Sequence, residues 1–195
     1  LLSLESGAQG VVVDTAQGRL HARDVVLATG AWAPRIANAV GLPWLRKTIQ
    51  PGKGYSITYN SPQITPKRPE KLYEPSVCVT AWPSGYRLGS TMEFTGYDDR
   101  LNAQRLGALE RGAAQFLHHP VGPEVREQWC GWRPMSRDDI PLIGRAPGHA
   151  HLWMAVGHGM MGVSMSASTG QLLADMLAGR TPCVNPTPFD PARFT

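Results

Sequence analysis

The sequence is short of the residues that would mark a secreted scaffold, a metal centre or a membrane span. Its three cysteines, Cys78, Cys130 and Cys183, form no CxxC pair, and any disulfide scheme leaves one of them over. That usage points to a reducing compartment, the cytoplasm, with inert thiols. No His, Cys or carboxylate spacing supports a metal site, so none is expected. No apolar run reaches the roughly 20 residues that a spanning helix requires. Charge of one sign is also sparse. The 19 Lys and Arg residues exceed the 15 Asp and Glu by four and form no basic run. Such a balance suits a small anionic ligand and argues against nucleic-acid binding. The first residue is Leu in what already reads as folded sequence, so an upstream segment, targeting or otherwise, stays open. What is present is ordinary for a folded protein: 42% hydrophobic and 17% charged residues over 195 positions, enough for one large domain or parts of two.

Turn residues between β-branched runs predict a hairpin over Val11–Arg23, feeding a strand from Asp24 to Thr29. The Val25–Ala28 run has no alternation, which predicts cover on both faces. Gly30 ends it, and Ala31–Val40 reads as a short helix. The middle is dense in Pro, Gly, Tyr and Thr, with strands expected at Gly54–Tyr59, Ser76–Thr80 and Tyr86–Phe94 and a proline-rich loop at Ser61–Pro69. Leu101–Leu117 reads as an amphipathic helix. Short strands follow at Pro141–Ile143 and Leu152–Val156. The last helix, Val163–Ala178, is closed by Gly179 where a C-cap glycine belongs.

Three separated segments carry chemistry. The first is Val25-Val26-Leu27-Ala28-Thr29-Gly30-Ala31-Trp32, an apolar strand that delivers a glycine to a sheet edge. There the missing side chain would admit a nucleotide to the backbone, or Gly30 is a plain strand-to-helix turn. The second is Gly157-His158-Gly159-Met160-Met161-Gly162, between a strand and a helix. A helix N-terminus stabilises an anion, either a reduced flavin ring or a nucleotide phosphate; tight helix–strand packing explains the same glycines. The third is Trp129–Gly144. Its Arg133, among aromatic and apolar neighbours and followed by a proline, suits a two-point grip on a carboxylate, or else a structural ion pair. His158 reads as held by backbone, and His118 and His119 as solvated.

Together, Ala28-Thr29-Gly30-Ala31-Trp32, Lys53-Gly54-Tyr55-Ser56, the Arg87–Glu93 strand, Trp129–Gly144 and Gly157–Gly162 stand in the order found in the D-amino-acid oxidase-like superfamily of FAD enzymes. The chain resembles the bacterial D-amino-acid dehydrogenases most, then glycine and sarcosine oxidases, and it resembles only their C-terminal part. The resemblance implies a mixed α/β and α+β fold: an incomplete FAD-binding Rossmann-type domain and an antiparallel-sheet substrate domain. Its expected boundaries are 1–43 and 131–195 for the FAD domain and 44–130 for the substrate domain. It places Thr29, Gly30 and Trp32 by the cofactor and sets Gly157, His158, Gly159, Met160, Met161 and Gly162 against the pyrimidine edge of the flavin. Arg133 becomes the anchor of the substrate carboxylate. Tyr55 either adds a hydrogen bond facing the flavin or is a half-buried strand tyrosine.

Two departures stand out. The family has Asp-Gly where this chain has Asp138-Asp139, a turn that Asp tolerates with some strain. The family's opening strand–GxGxxG–helix unit, which grips the FAD pyrophosphate, does not stand at the start of this chain. The implied reaction is oxidative deamination of an amino acid, by resemblance a D-amino acid. A hydride passes from Cα to the flavin, the imino acid hydrolyses to a keto acid and ammonia, and quinone or oxygen takes the electrons. No general base is required of the protein if the amine enters neutral. The resemblance also admits peripheral association with the inner face of a membrane. Two other readings stay open: a non-catalytic fragment or binding module, and an FAD oxidoreductase of another amine such as glycine or sarcosine.

Overall fold

Two points in the chain, Pro51/Gly52 and Trp132/Arg133, divide the computed structural model, which describes residues 1–195, into two units. The first unit comprises Leu1–Pro51 and Arg133–Thr195. It opens with an antiparallel meander, β1 (Ser3–Gly7), β2 (Gly10–Thr15) and β3 (Gly18–Ala22). The expected hairpin is β2–β3. Thr15 closes its turn, with Oγ1 accepting from the Gln17 amide and donating to the Gly18 carbonyl. Alternation along β1 and β2 turns Leu4 and Val11 into the core.

A second sheet of this unit joins β4 (Val25–Leu27) to two later strands, β10 (Leu142–Arg145) and β11 (Leu152–Val156), in the order β10-β11-β4. β11 runs parallel to β4, with Leu152 opposite Val25 and Met154 opposite Leu27, and antiparallel to β10. Leu27 is buried, but Val26 is 40% exposed. One face of β4 is therefore open, contrary to the reading of the unbroken Val25–Ala28 run as covered on both sides.

The expected Ala31–Val40 helix is broken up. A 3-10 turn, Gly30–Trp32, leads into a single turn of α-helix, α1 (Ala33–Ile36), and a second short helix follows, α2 (Leu45–Thr48). Ala33, Ala37, Val40, Leu42, Leu45 and Ile49 pack with Leu27, Leu142, Met154 and Val156 into one core. Leu45 and Ile49 belong to that core, so the unit extends to Pro51 rather than ending at residue 43.

The long last helix, α4 (Gly162–Leu177), buries Leu172 and Leu173 against Ile143 and Trp153. Gly179 sits at φ +66°, and the Arg180 amide reaches the Asp175 carbonyl at 2.8 Å. This is the left-handed C-cap that the glycine's position indicated.

The second unit, Gly52–Trp132, holds a sheet of order β6-β7-β8-β5-β9. Its strands are β5 (Ile49–Tyr59), β6 (Glu70–Leu72), β7 (Val77–Trp82), β8 (Gly85–Glu93) and β9 (Val125–Ser136). The twelve-residue β9 was not legible in the sequence, because Gly131 and Pro134 interrupt its pattern. One helix, α3 (Ala103–Ala114), lays Leu106, Leu109 and Ala113 on Tyr55, Ile57, Tyr59, Val77, Val79, Tyr86 and Leu88. It begins two residues later than expected, because Asn102 Oδ1 accepts from the Gln104 and Arg105 amides and acts as N-cap. Leu101 and Phe116, within the expected Leu101–Leu117 helix, are exposed outside the observed one. No helix of the chain is long and apolar enough to cross a membrane.

Candidate functional site

β4 and β11 are parallel neighbours, so their carboxyl ends reach the same edge of the sheet. In open α/β sheets, ligands bind in the crevice outside such ends. The two glycine-bearing motifs occupy this edge: Thr29, Gly30 and Trp32 follow β4, and Gly157–Gly162 follows β11 and enters α4.

The glycines do different work. Gly30 has φ +53°, and nothing of the chain lies within 4 Å of where its Cβ would stand. Its conformation favours glycine, and the space beside it is open. Gly157, at φ +82°, is packed shut: a Cβ there would lie 2.9 Å from Ile49 Cδ1 and 3.1 Å from Leu142 Cδ1. Helix–strand packing accounts for Gly157. Gly159, at φ +54°, has the Asp139 Oδ1 atom 3.2 Å from its would-be Cβ. Gly162 starts α4, whose N-cap is Met161 with no side-chain capping bond. No acidic residue stands in the first helical turn. Its leading amides thus carry the positive end of the helix dipole with no acidic residue of the helix itself beside them, although the Asp139 carboxylate approaches the preceding turn at Gly159. Next to them in the chain, Met160, Met161 and Val163 are exposed, as is Trp32 after β4.

The third motif meets the second within the same unit. The Gly159 amide donates to the Pro134 carbonyl at 2.9 Å, and Met135 forms an isolated antiparallel bridge with His158. Arg133, half-buried, immediately precedes this junction on β9. The turn after it is closed by the Asp139 amide on the Ser136 carbonyl, 3.3 Å, and Asp139 takes the left-handed φ of +60°. Asp138 is locked by Arg193, whose Nε lies 2.8 Å from Oδ2, and that bond holds the Asp138 carboxyl below its ordinary range.

His158 is held differently from expectation. Its Nε2 pairs with the Thr169 hydroxyl of α4 at 3.0 Å, a side-chain rather than a main-chain partner. Burial lowers its pKa, so the ring is neutral near pH 7. Two hydroxyls, Thr29 Oγ1 and Ser136 Oγ, are buried without a hydrogen-bond partner.

Tyr55 belongs to the other unit, on β5, and is 2% exposed. Its hydroxyl donates to the Glu93 carboxylate. Burial raises the tyrosine's pKa, and the bond to Glu93 raises it further. The same bond lowers that of Glu93, against burial. Residue patterns did not reveal this pairing, because Tyr55 and Glu93 lie on different strands. The one available signal was the alternation that puts Lys53 and Tyr55 on the same face of β5.

The family described as FAD dependent oxidoreductase, DAO, matches residues 1–176. The chain is similar to a glycine oxidase of Pseudomonas putida, 34% identical over 92% of this chain and 48% of that protein. It is also similar to a D-amino acid dehydrogenase of Chromohalobacter salexigens, 31% identical over 93% of this chain and 43% of the other. Among solved structures, a glycine oxidase from Geobacillus kaustophilus superposes with a TM-score of 0.78 at 26% identity, covering 97% of this chain and 50% of that one. The chain spans about half the length of the curated relatives it matches. With its family profile matched over most of its length, and its fold shared with that oxidase, this chain belongs to the FAD dependent oxidoreductase family.

Proposed function

We propose that the chain supplies the substrate-carboxylate anchor and the flavin-facing wall of an FAD-dependent amino-acid oxidoreductase. The observation that carries this reading is the junction of Gly159 with Pro134 and of His158 with Met135, which brings the Arg133 strand to the glycine turn. The groups at that edge fit the ring end of a flavin: an unpartnered Thr29 hydroxyl, open space at Gly30, and the uncapped amides of α4. They fit a pyrophosphate less well. Gly157-x-Gly159-x-x-Gly162 has the spacing of a dinucleotide fingerprint, but the Asp139 carboxylate beside Gly159 repels a dianion.

When bound, FAD would supply the acceptor for the hydride, with its two electrons, that leaves the substrate Cα. The chain's own residues orient and polarise. Arg133 binds the carboxylate through two parallel charged hydrogen bonds, which fixes the direction of the Cα–H. The α4 amides stabilise negative charge at the turn, and neutral His158, tied to Thr169, holds the turn's shape. Tyr55, buried with its hydroxyl on Glu93, supports the substrate unit from within its core. The substrate class is a small α-amino acid, a D-amino acid or glycine, oxidised to an imino acid that water converts to a keto acid and ammonia. Quinone or oxygen then takes the electrons.

The first test is optical. The purified chain is titrated with FAD and followed by flavin absorbance and fluorescence, with glycine, sarcosine and a panel of D-amino acids added under anaerobic conditions. Binding followed by bleaching with an amino acid is the expected result for the flavoenzyme. A chain that leaves FAD fluorescence unchanged at all concentrations is a non-catalytic module by itself.

A further inference from the structure

Lys53 is the one buried ionic side chain of the Gly52–Trp132 unit, 1% exposed on β5. An ammonium in such a place is costly unless it is bonded, so its partners identify what it holds. Its Nζ donates to the main-chain carbonyl of Arg100 at 2.5 Å and stands 5.1 Å from the centre of the Tyr55 ring. Burial pulls the amine's pKa down, but the bond to Tyr55 and nearby negative charge outweigh it, and Lys53 stays protonated.

The surroundings form a closed polar network. Lys53 faces Glu93 across the β5–β8 ladder. Glu93 accepts from Tyr55 and from Asn102 Nδ2, the latter at 3.3 Å, with Arg105 Nε at 3.8 Å. Asn102 is the same residue that caps α3. The ladder shifts register between Lys53 and Tyr55, and the one extra residue of β8 is accommodated with φ +146° at Ser90 and +58° at Thr91. Left-handed backbone at a β-branched residue is strained and persists only where its surroundings enforce it.

The carbonyl that Lys53 grips belongs to a short loop between β8 and α3. Asp98 braces that loop by bonding both the guanidinium and the amide of Arg100. The loop touches β9 at two alternate residues. The Asp99 carbonyl accepts from Cys130 Sγ at 3.4 Å, and the Tyr97 ring lies 6.0 Å from that of Trp132 at 55°. The next residue along β9 is Arg133.

We infer that Lys53 is a positioning residue for Arg133: its ammonium fixes the Arg100 carbonyl, and so holds the 97–100 loop on Cys130 and Trp132, which lead directly into Arg133. The inference rests on the reading of Arg133 as the carboxylate anchor, but its test does not pass through substrate or flavin. It also accounts for a buried charge that makes no direct ion pair. A main-chain carbonyl is held more firmly by an ammonium than by a neutral donor.

The experiment compares the 195-residue chain with Lys53→Met, Lys53→Arg and Tyr97→Ala. Two quantities are read: iodoacetamide labelling of Cys130, with the exposed Cys78 and Cys183 as internal controls, and hydrogen exchange of the Cys130–Ser136 segment. In Lys53→Met both rise about tenfold, the scale set by one lost hydrogen bond to a charged group. Exchange within α3 and Ile57–Tyr59 stays as in the parent. Lys53→Arg, which keeps a charged donor, falls between. Faster labelling with unchanged exchange at 130–136 overturns the positioning of Arg133, and no change in either overturns the clasp altogether. If Lys53→Met does not fold, Tyr97→Ala breaks the same link beyond Lys53. It must then show both increases, or the inference fails. Failure of the carboxylate reading at Arg133 leaves all of these outcomes as they are.

Discussion

The main-chain amide of Gly159 donates to the carbonyl of Pro134 at 2.9 Å, tying the glycine turn ahead of α4 to the strand that carries Arg133. In the proposed function, Gly159 at one end of this bond belongs to the cofactor wall, and Arg133, the neighbour of Pro134 at the other, is the carboxylate anchor. Changes on either side therefore have separable consequences.

Arg133→Ala in the assembled enzyme is expected to lower kcat/KM for an amino-acid substrate by about a hundred- to a thousandfold, the loss of two charged hydrogen bonds. Arg133→Lys recovers part of the loss, since an ammonium keeps the charge and forfeits the two-point geometry. Steady-state kinetics with a carboxylate substrate and its methyl ester separate the effects. Equal loss on acid and ester would remove the assigned role.

Gly157→Ala and Gly30→Ala share a left-handed backbone and differ in space. At Gly157 the new methyl meets Ile49 and Leu142, so strain and overpacking together cost about 2–4 kcal/mol. At Gly30 only the backbone strain remains, about 1 kcal/mol. Urea unfolding should rank the two in that order, while FAD affinity should suffer at Gly30 despite its milder effect on stability.

Asp139 occupies a turn position with φ +60° that suits glycine better. Asp139→Gly is expected to raise stability by about 0.5–1 kcal/mol, and Asp139→Val to lower it by more than that. Thermal or urea melts of the two variants check the sign, and a destabilised Asp139→Gly would show that the carboxylate makes a bond worth more than the strain.

Acid should weaken the fold in two separate windows. His158 has a folded pKa lowered by burial from its ordinary 6.5, so the unfolded chain binds the proton more readily. Its contribution to stability is complete above pH 6.5 and is lost as pH falls toward the lower folded value. Asp138 and Asp175 are depressed by their bonds, to Arg193 in the first case and to Gln171 and Arg180 in the second. Their contributions are complete above the ordinary carboxylate value of 3.8 and are lost as pH falls through the folded one. Unfolding midpoints measured from pH 8 to 3 should show both falls, and His158→Gln should remove only the upper one.

Much of the framework was legible because it depends on local chemistry. The β2–β3 turn, the capping glycine at residue 179 and the left-handed Asp139 all follow from what single residues allow their own backbone to do. Strands β7, β8 and β11 followed from apolar and β-branched runs. The misreadings arose where distant neighbours decide. Val26 lies in an apolar run yet has an open face, and Ala31–Val40 is apolar enough for a helix but packs as turns around Leu27 and Met154. β9 was hidden because Gly131 and Pro134 mask a strand that pairing with β5 sustains.

By itself, the sequence determined the family, the order of its motifs and the residue types able to grip a carboxylate or approach a cofactor. These are properties of side chains and of short runs. Only the tertiary structure decided which glycine is packed shut and which is open, since Gly157 meets Ile49 from 108 positions away and Gly30 meets nothing. It alone assigned the Tyr55 hydroxyl to Glu93 and the Lys53 ammonium to the Arg100 carbonyl. Hydrogen bonds and van der Waals contacts act over a few ångströms of space, and the folded backbone sets which residues come within that reach.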